Sequence, residues 1–283
     1  MRDWQGPAIW IYNDAVFTDD DFKSLLNLGI GGKSHDDKKI GKFGIGFNCA
    51  FNFTDLPSFV SRKYIAFLDP HRKFLPAQGY PSIKRRGIRI DFKERNWNFG
   101  RSFPGQCYPY KALGCDFTEE FEGTLFRLPL RTYELAERSK ISKRVSKISE
   151  ILKLFSSIQG NKEMLFLRNI ESCSLYHMTD GVSQPQLIWQ AKIDNIDICR
   201  DDRQKVVDSI DDAPTYQLDI KRRDYNRDKQ VSEIWAICTG GHDRIESKLE
   251  EEEDFSEETL EEKLEKLSKD KRLKVNLMYL IFI

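Results

Sequence analysis

The stretch Gly41-Lys42-Phe43-Gly44-Ile45-Gly46-Phe47-Asn48 decides the fold of this chain. Its glycines follow the spacing G-x-x-G-x-G, between the polar residues 33–39 and an aromatic-rich segment, 45–53, that we predict to be a helix. Glycine lets the backbone approach a ligand closely, and the N–H groups at a helix start point toward an anion. The pattern is therefore typical of a phosphate-binding loop, although a glycine-rich turn entering a buried helix has the same sequence signature.

Composition limits the classes of function. The chain has 283 residues, with 45 Lys and Arg against 45 Asp and Glu, so its formal net charge is zero. A neutral chain has no global attraction for nucleic acid or for an anionic membrane, and we expect neither as a partner. The length is that of one large domain or two smaller ones, and it is ample for a hydrophobic core.

The cysteines and the chain ends predict a cytoplasmic protein. None of the six cysteines forms a C-x-x-C pair, so we expect reduced thiols and no zinc site. Residues 1–7 lack the apolar core of a signal peptide. The apolar run Val275–Ile283 is much shorter than the roughly 20 residues of a membrane span, and we predict a buried terminal strand there.

Hydrophobic periodicity predicts an alternation of strands and helices, followed by a strand-rich part. The predicted strands are Ala8–Tyr12, Phe59–Leu68, Gly87–Phe92, Glu122–Leu130, Met164–Arg168, Cys173–His177, Gln186–Lys192, Tyr216–Ile220 and Ser232–Cys238. The predicted helices begin at Thr18, at Ile45 and at Ile141, with a charged helix near 246–272, a loop at Trp97–Cys115, and a loop or short helix at 201–213. A change of composition at 133–141 divides the chain into domains 1–133 and 134–283.

Three ordered motifs carry a family resemblance. Asn27-Leu28-Gly29 with Lys33-Ser34, then Ile40–Phe47, then Glu122–Phe126 resemble the ATP-binding domain of the ninety-kilodalton heat-shock chaperones, within the GHKL (Bergerat-fold) ATPase superfamily. This resemblance implies an α/β fold: a two-layer α/β sandwich with a mixed sheet, here followed by a helix and a strand-rich α+β part.

A closer resemblance is to the sacsin family, whose very large cytosolic members contain repeats that begin with such an ATPase-like module. It is carried by Gly6–Trp10, Tyr12–Thr18, Thr54–Pro57, Leu68–His71 and Gly123–Leu130, and it weakens beyond residue 130. Leu68–His71 and Phe126–Leu130 favour this family over mismatch-repair or kinase-type members of the superfamily.

The resemblance implies a nucleotide pocket for ATP or ADP. The residues that match its phosphate side are Gly41, Gly44, Ile45, Gly46 and Phe47, and those that match the lid entry are Asn27, Gly29, Lys33 and Ser34. Thr124 matches the threonine that supports the adenine site, and either Asn13 or Asp14 takes the adenine-reading place. A carboxylate there accepts a hydrogen bond from the adenine amino group, and an amide accepts it more weakly.

Two departures predict little or no hydrolysis. Asn13–Phe17 lacks both glycines of the superfamily's D-x-G-x-G motif, and Gly6-Pro7 stands too close to residue 1 for the helix that carries the superfamily's catalytic glutamate and magnesium-binding asparagine. We therefore assign no catalytic residue and no metal ligand, and expect Mg²⁺ only if that helix is supplied. The implied function is a chaperone or co-chaperone module whose partners are seventy-kilodalton heat-shock proteins or client proteins. The alternative is a degenerate interaction module that acts without nucleotide.

Overall fold

A computed structural model gives the fold of residues 2–26, 47–75, 86–94, 99–157, 163–165, 167, 169–179, 185–204 and 215–238. The chain forms two compact units that divide between residues 155 and 156. Each unit contains one antiparallel sheet, and the two are described separately below. The domain boundary after residue 133 stays a prediction.

The first unit is built on a five-stranded sheet. Its strands are β1 (Ala8–Asn13), β2 (Ser58–Arg62), β3 (Tyr64–Leu68), β4 (Gly87–Asp91) and β5 (Phe121–Pro129), in the spatial order β1-β5-β2-β3-β4. Every neighbouring pair is antiparallel. The α/β class is therefore confirmed, whereas the prediction of a mixed sheet is wrong for these strands.

The predicted strand Phe59–Leu68 is in fact the hairpin β2–β3. Ser61 lies opposite Tyr64, which leaves Arg62 and Lys63 as a two-residue turn. Arg62 adopts a positive φ of 51°, as tight hairpin turns require. Glycine or asparagine usually fills such a position, so this turn has no clear signal in the sequence.

Helices pack against both faces of this sheet. Alternation along β5 defines a Thr124 face, which also bears Phe126, and a Leu125 face, which also bears Arg127. Helix α1 (Asp19–Leu26) places Phe22 against Phe59 on the Thr124 face, with ring centroids 5.6 Å apart. The predicted two-layer arrangement therefore does not hold for the described residues, since helical segments also cover the other side.

The Leu125 face is covered by helices α2 (Phe99–Ser102) and α3 (Pro104–Lys111), where the sequence predicted a loop. Gly, Pro and aromatic residues hide the helical period here, but Pro104 stands at the first turn of α3, where proline is tolerated. Tyr110 is buried and donates a hydrogen bond of 2.7 Å to the Ser58 hydroxyl. Burial raises the pKa of Tyr110 well above its ordinary value, so the phenol keeps its proton.

Helix α1 begins with a capping box at Thr18, where the sequence predicted a helix start. The Thr18 hydroxyl accepts from the Asp21 N–H at 3.2 Å, and the Asp21 carboxylate accepts from the Thr18 N–H at 3.0 Å. Two of the backbone N–H groups that a helix start leaves unpaired are thus satisfied. This cap fixes the point at which the chain leaves β1 and turns onto the Thr124 face.

The segment between the two sheets differs from its prediction. Helix α4 (Tyr133–Arg138) was not foreseen, and helix α5 runs over Ile148–Ser157, seven residues later than its predicted start. The 3-10 helix Glu163–Leu165 replaces the strand predicted at 164–168. The spacing of apolar residues did not by itself show where helices α4 and α5 begin, or that residues 163–165 form a 3-10 helix rather than a strand.

The second unit is a four-stranded antiparallel meander. Its strands β6 (Ser172–His177), β7 (Gln186–Ile193), β8 (Thr215–Asp224) and β9 (Lys229–Cys238) are adjacent in that order, and helix α6 (Ile196–Gln204) packs on β8. These four strands confirm their predictions, with longer bounds. The helix predicted near 246–272 and the strand predicted at 275–283 lie outside the described residues. Within the described part of the chain, no helix combines the length and apolar character needed to cross a membrane.

Candidate functional site

Four of the predicted site residues belong to the described chain: Asn13, Asp14, Phe47 and Thr124. The others, Asn27, Gly29, Lys33, Ser34, Gly41, Gly44, Ile45 and Gly46, lie outside the described residues. The described part of the site is therefore its base side and the segment that follows the glycine-rich loop.

The pairing of β1 with β5 brings the base-side residues together. Asn13, the last residue of β1, lies directly opposite Thr124, two residues after Ile11 faces Phe126. Residues opposite each other in an antiparallel pair point to the same side of the sheet, so Asn13 and Thr124 share the Thr124 face. Asp14 follows the strand and is exposed.

Ser61 and Thr124 form a buried pair of hydroxyls that we name the hydroxyl clamp. Both residues are fully buried, with their oxygens 3.0 Å apart. The Thr124 hydroxyl donates to the Ala15 carbonyl at 2.7 Å, and the Ser61 hydroxyl accepts from the Phe17 N–H at 2.9 Å. The clamp thus holds the segment that leaves β1 in place over β5 and β2. Sequence reasoning did not identify Ser61, because nothing along the chain shows that it lies next to Thr124.

These contacts assign the hydroxyl proton of Thr124. A carbonyl only accepts, so the single hydroxyl proton of Thr124 goes to Ala15. Ser61 therefore supplies the proton for its own contacts, with Thr124 or with the Gly123 carbonyl, 3.0 Å away. In this conformation Thr124 has no second proton to give, and it supports the site from beneath.

Gly123 lets β1 and β5 approach closely next to the clamp. Its φ is +116°, and a Cβ placed there would lie 2.5 Å from the Asn13 carbonyl oxygen. Only glycine fits such a position without displacing the backbone. The glycine of the Glu122–Phe126 motif is therefore explained by the approach of these two strands.

Asn13 forms a local turn with its own side chain. Its Oδ1 accepts from the Ala15 N–H at 3.2 Å, a contact typical of asparagine at a strand end. The residue is half-buried.

Phe47 connects the end of the glycine-rich loop to the same face. It is the first described residue of the 3-10 helix Phe47–Asn52, which lies within the helix predicted at 45–53. Its ring lies 5.8 Å from that of Phe126, which also contacts Phe17 at 5.9 Å and Phe59 at 5.1 Å. Aromatic packing of this kind contributes beyond the area that it buries. Phe47 and Thr124 are thus brought to one face of the sheet.

A second buried group anchors the far end of this 3-10 helix, and we name it the ionic network: Arg131, Asp55 and His71. The Arg131 side chain is fully buried, its Nε lies 2.7 Å from an Asp55 oxygen, and its Nη1 donates to the Asn52 carbonyl at 2.7 Å. The other Asp55 oxygen lies 3.1 Å from His71 Nε2. Charge-assisted bonds of this type are among the stronger ones in proteins.

The ionic network joins two motifs that the sequence left separate. Asp55 belongs to Thr54–Pro57, and His71 belongs to Leu68–His71. Arg131, the second partner of Asp55, immediately follows the Gly123–Leu130 segment. Each motif matched the family resemblance, but the contacts between them are long-range and became visible only in the fold.

The described residues offer few other candidate binding sites. No three His, Cys, Asp or Glu side chains of this part of the chain come together as a metal site. A cavity of about 270 Å³ lies at the start of β5, lined by Gly114–Asp116 and Glu119–Glu122. It includes none of the predicted site residues, and Glu119 there pairs with Lys93 at 2.8 Å.

Comparison with known proteins agrees with the motifs. The model of the family described as Sacsin domain matches residues 1–190, which include the hydroxyl clamp and the ionic network. Human sacsin is 31% identical over 196 residues, a match that covers 66% of this chain and 4% of human sacsin. The chain thus spans a small fraction of the length of that curated relative. On the family match, which extends over more than half of its residues, this chain belongs to the Sacsin domain family.

Proposed function

We propose that the first unit is a nucleotide-binding module of the GHKL (Bergerat) type within a sacsin-like chaperone or co-chaperone. The observation that carries this proposal is the register of β1 and β5, which sets Asn13 opposite Thr124 on the face that also receives Phe47. These are the adenine-side and phosphate-side positions that the family resemblance implies. ATP or ADP is the proposed ligand.

Each side of the proposed pocket has its own support. On the base side, the hydroxyl clamp fixes the segment from Asn13 to Phe17 against the sheet. On the phosphate side, the ionic network holds the end of the 3-10 helix that follows Gly41–Gly46. Support on both sides lowers the entropic cost of binding, because less of the chain has to be ordered when a ligand enters.

The proposed module binds nucleotide with little or no hydrolysis. Phosphoryl transfer needs an oriented water and a bound metal as well as a held phosphate. The residues matched to the pocket supply glycines, amides and hydroxyls, and their one carboxylate, Asp14, is exposed. Mg²⁺ would therefore depend on ligands from another segment or chain.

The proposed setting is protein folding in the cytoplasm. Family membership supports a role beside chaperones of the seventy-kilodalton heat-shock class or their client proteins. Nucleotide binding would then change the affinity for a partner protein rather than drive repeated hydrolysis.

Calorimetric titration with ATP and with ADP tests the proposal. We expect heat of binding that disappears in Gly44→Trp, because a bulky side chain would fill the space that the glycine-rich loop leaves for phosphate. Gly105→Trp is the matched control: it is an exposed position of α3 on the Leu125 face, with nothing within 4 Å of its Cβ site. No binding by the native chain, or equal loss in both variants, would contradict the proposal.

One observation favours the alternative of a nucleotide-independent interaction module. Thr124 is fully buried, and its only proton is bonded to the chain's own Ala15 carbonyl. A hydroxyl whose hydrogen bond is already made within the chain needs no ligand to complete it. Capture of a chaperone or client in equal amounts with and without ATP would favour the alternative, and ATP-dependent capture would exclude it.

A further inference from the structure

A run of exposed cations lies between helices α4 and α5. We name it the basic run, and its members are Lys140, Lys143, Arg144 and Lys147. Residues 138–149 contain no Asp or Glu, and within the part of the chain that the structure describes none of these four side chains pairs with a carboxylate. Exposed cations elsewhere, such as Lys192 and Arg200, do have such a partner. The basic run therefore offers uncompensated positive charge to a ligand.

The backbone beneath the basic run is fixed by two serines. Ser139 is buried, and its hydroxyl accepts hydrogen bonds from the N–H groups of Ile141 and Ser142, at 3.1 and 3.2 Å. The Ser142 hydroxyl in turn accepts from the Arg144 N–H at 3.2 Å. A ligand therefore meets charges whose backbone is already ordered, which lowers the entropic cost of binding.

The first turn of helix α5 adds a second attraction for carboxylates. The Lys147 carbonyl accepts from the N–H groups of Glu150 and Ile151, which makes Lys147 the N-cap residue. An ammonium group has no acceptor, so Lys147 cannot cap the first N–H groups of the helix. The buried Ser146 hydroxyl has no hydrogen-bond partner among the described residues and does not cap them either. An anion at the end of the basic run would meet these N–H groups.

Apolar side chains within the run favour a peptide as the ligand. Ile141 and Ile148 are exposed among the cations, to 40% and 42%, and offer contacts to apolar side chains of a partner. Single-stranded nucleic acid binds largely by stacking its bases on aromatic rings, and residues 138–149 contain no aromatic residue. The expected ligand is therefore an acidic peptide segment that also carries apolar residues.

The chain itself contains a segment of this chemistry. Residues 249–262, which lie outside the described residues, carry nine carboxylates and no cation, with Leu249, Phe255 and Leu260 among them. Because the whole chain is neutral, its copies do not repel one another as molecules of high net charge do. Segments of opposite charge in different copies are therefore free to associate.

We propose that the basic run is a docking surface for residues 249–262 of a second copy of this chain. Carboxylates of that segment face the four cations and the first turn of α5, and its apolar side chains contact Ile141 and Ile148. Exposed charges are screened by salt, so association should weaken as the ionic strength rises. The inference goes beyond nucleotide binding and does not depend on it.

Sedimentation velocity of the native chain at about 1 to 100 µM tests this surface. We expect self-association that grows with concentration and weakens by about tenfold in the double variant Arg144→Glu/Lys147→Glu. The matched control is Arg227→Glu/Lys229→Glu, which reverses two exposed cations at a hairpin turn of the second unit and changes the net charge equally. A monomeric native chain, or an equal loss in both double variants, overturns the inference.

Mixing two variants identifies the occupant. Glu251→Lys/Glu252→Lys should weaken self-association as much as the reversal in the basic run does. When these two variants are mixed, one supplies an intact basic run and the other an intact acidic segment, so we expect association to return. Absence of this recovery overturns a contact between copies.

A peptide titration keeps the inference testable if a reversed variant fails to fold, as judged by circular dichroism. The probe is a synthetic peptide of residues 249–262, titrated into the native chain. We expect binding that is lost when every Asp and Glu of the peptide is replaced by Asn and Gln. Equal binding of the amide peptide overturns the inference. So does binding of an RNA oligonucleotide, or of vesicles that contain phosphatidylserine, about tenfold or more tighter than that of the acidic peptide.

Discussion

Two buried polar groups at β5 hold neighbouring segments by different chemistry. The hydroxyl clamp, Ser61 and Thr124, is neutral and holds the segment that leaves β1. The ionic network, Arg131, Asp55 and His71, lies just beyond the end of the strand and holds the end of the 3-10 helix Phe47–Asn52. Both are almost fully withdrawn from solvent, so the comparison isolates the effect of charge.

The stability lost when one side chain is removed depends on whether the buried group is charged. A hydroxyl removed from the clamp leaves a neutral backbone group without its partner, and this costs the desolvation of that one group. An arginine removed from the ionic network leaves a buried carboxylate that has lost its guanidinium and keeps only the His71 contact of the network, which is considerably more costly. The two supports of the proposed pocket should therefore fail to different extents.

The largest expected effect is that of Arg131→Met. Methionine keeps much of the side-chain volume but leaves the Asp55 carboxylate buried and removes the donor to the Asn52 carbonyl. We expect the free energy of unfolding to fall by about 3–5 kcal/mol. Urea denaturation followed by circular dichroism measures this loss.

Two further variants test whether charge is the cause. Arg131→Met combined with Asp55→Leu removes both charges and should be less destabilising than Arg131→Met alone. Arg138→Met removes a guanidinium whose contact with Asp3 is exposed, 3.4 Å long, and should cost less than about 1 kcal/mol. A double variant as unstable as the single one would mean that lost packing, rather than orphaned charge, dominates.

Ser61→Ala should have an intermediate effect. The change leaves the Phe17 N–H without its acceptor and removes the contact with Thr124. We expect a loss of about 1–3 kcal/mol in the free energy of unfolding. Ser174→Ala serves as the comparison, because this serine lies on an outer strand of the second unit and accepts from the Gln190 side chain. An equal loss in both variants would show that the clamp contributes no special stability.

Local signals predicted the elements that position the site. The apolar run of β1, the alternation of β5 and the helix start at Thr18 depend on neighbours within a few residues, and all three were found. The helices α2 and α3 were missed because their stability comes from burial against the sheet, as with Phe99 and Tyr110, rather than from a helical period. The hairpin at Arg62 was missed because no glycine marks its turn.

The site features that the sequence left open depend on pairing between residues far apart along the chain. The sequence left the choice between Asn13 and Asp14 open, and the register with Thr124 places Asn13 on the shared face. It also marked the segments of Asp55 and His71 as matching a family, without a role for either. Asp55 pairs with His71 across 16 positions of chain and with Arg131 across 76, and no local pattern encodes these contacts.

Thr124→Val should cost less than the loss of Ser61. The side chains have the same shape. The hydrogen bond to the Ala15 carbonyl and the contact with the Ser61 hydroxyl both disappear, but Ser61 still donates to the Gly123 carbonyl, so we expect a loss of about 1 kcal/mol. Because that proton is already committed to Ala15, we expect nucleotide affinity to change by less than about threefold. Calorimetry measures both the native chain and the variant. A loss of tenfold or more would show that Thr124 binds the ligand directly, with the segment at Ala15 moved aside.

The smallest expected effect is on thiol reactivity at the Leu125 face, where the thiols of Cys107 and Cys115 are buried. Burial raises the pKa of Cys107 to about 12 and that of Cys115 to about 11, against an ordinary value of 9. At pH 8 both should stay unmodified by iodoacetamide in the folded protein, while exposed Cys49 reacts. Mass spectrometry of the labelled peptides measures this difference.

The raised thiol pKa values also set the direction of a pH effect. Since the unfolded thiols lose their protons near pH 9 and the folded ones only near 11 to 12, the unfolded state binds fewer protons in that interval, and stability falls as the pH rises through it. Cys107→Ala should lessen this fall while leaving both polar groups of the Thr124 side unchanged. Equal labelling of Cys49 and Cys107 at pH 8 would mean that this face opens readily, and that the helices α2 and α3 hold the sheet less firmly than the clamp and the ionic network do.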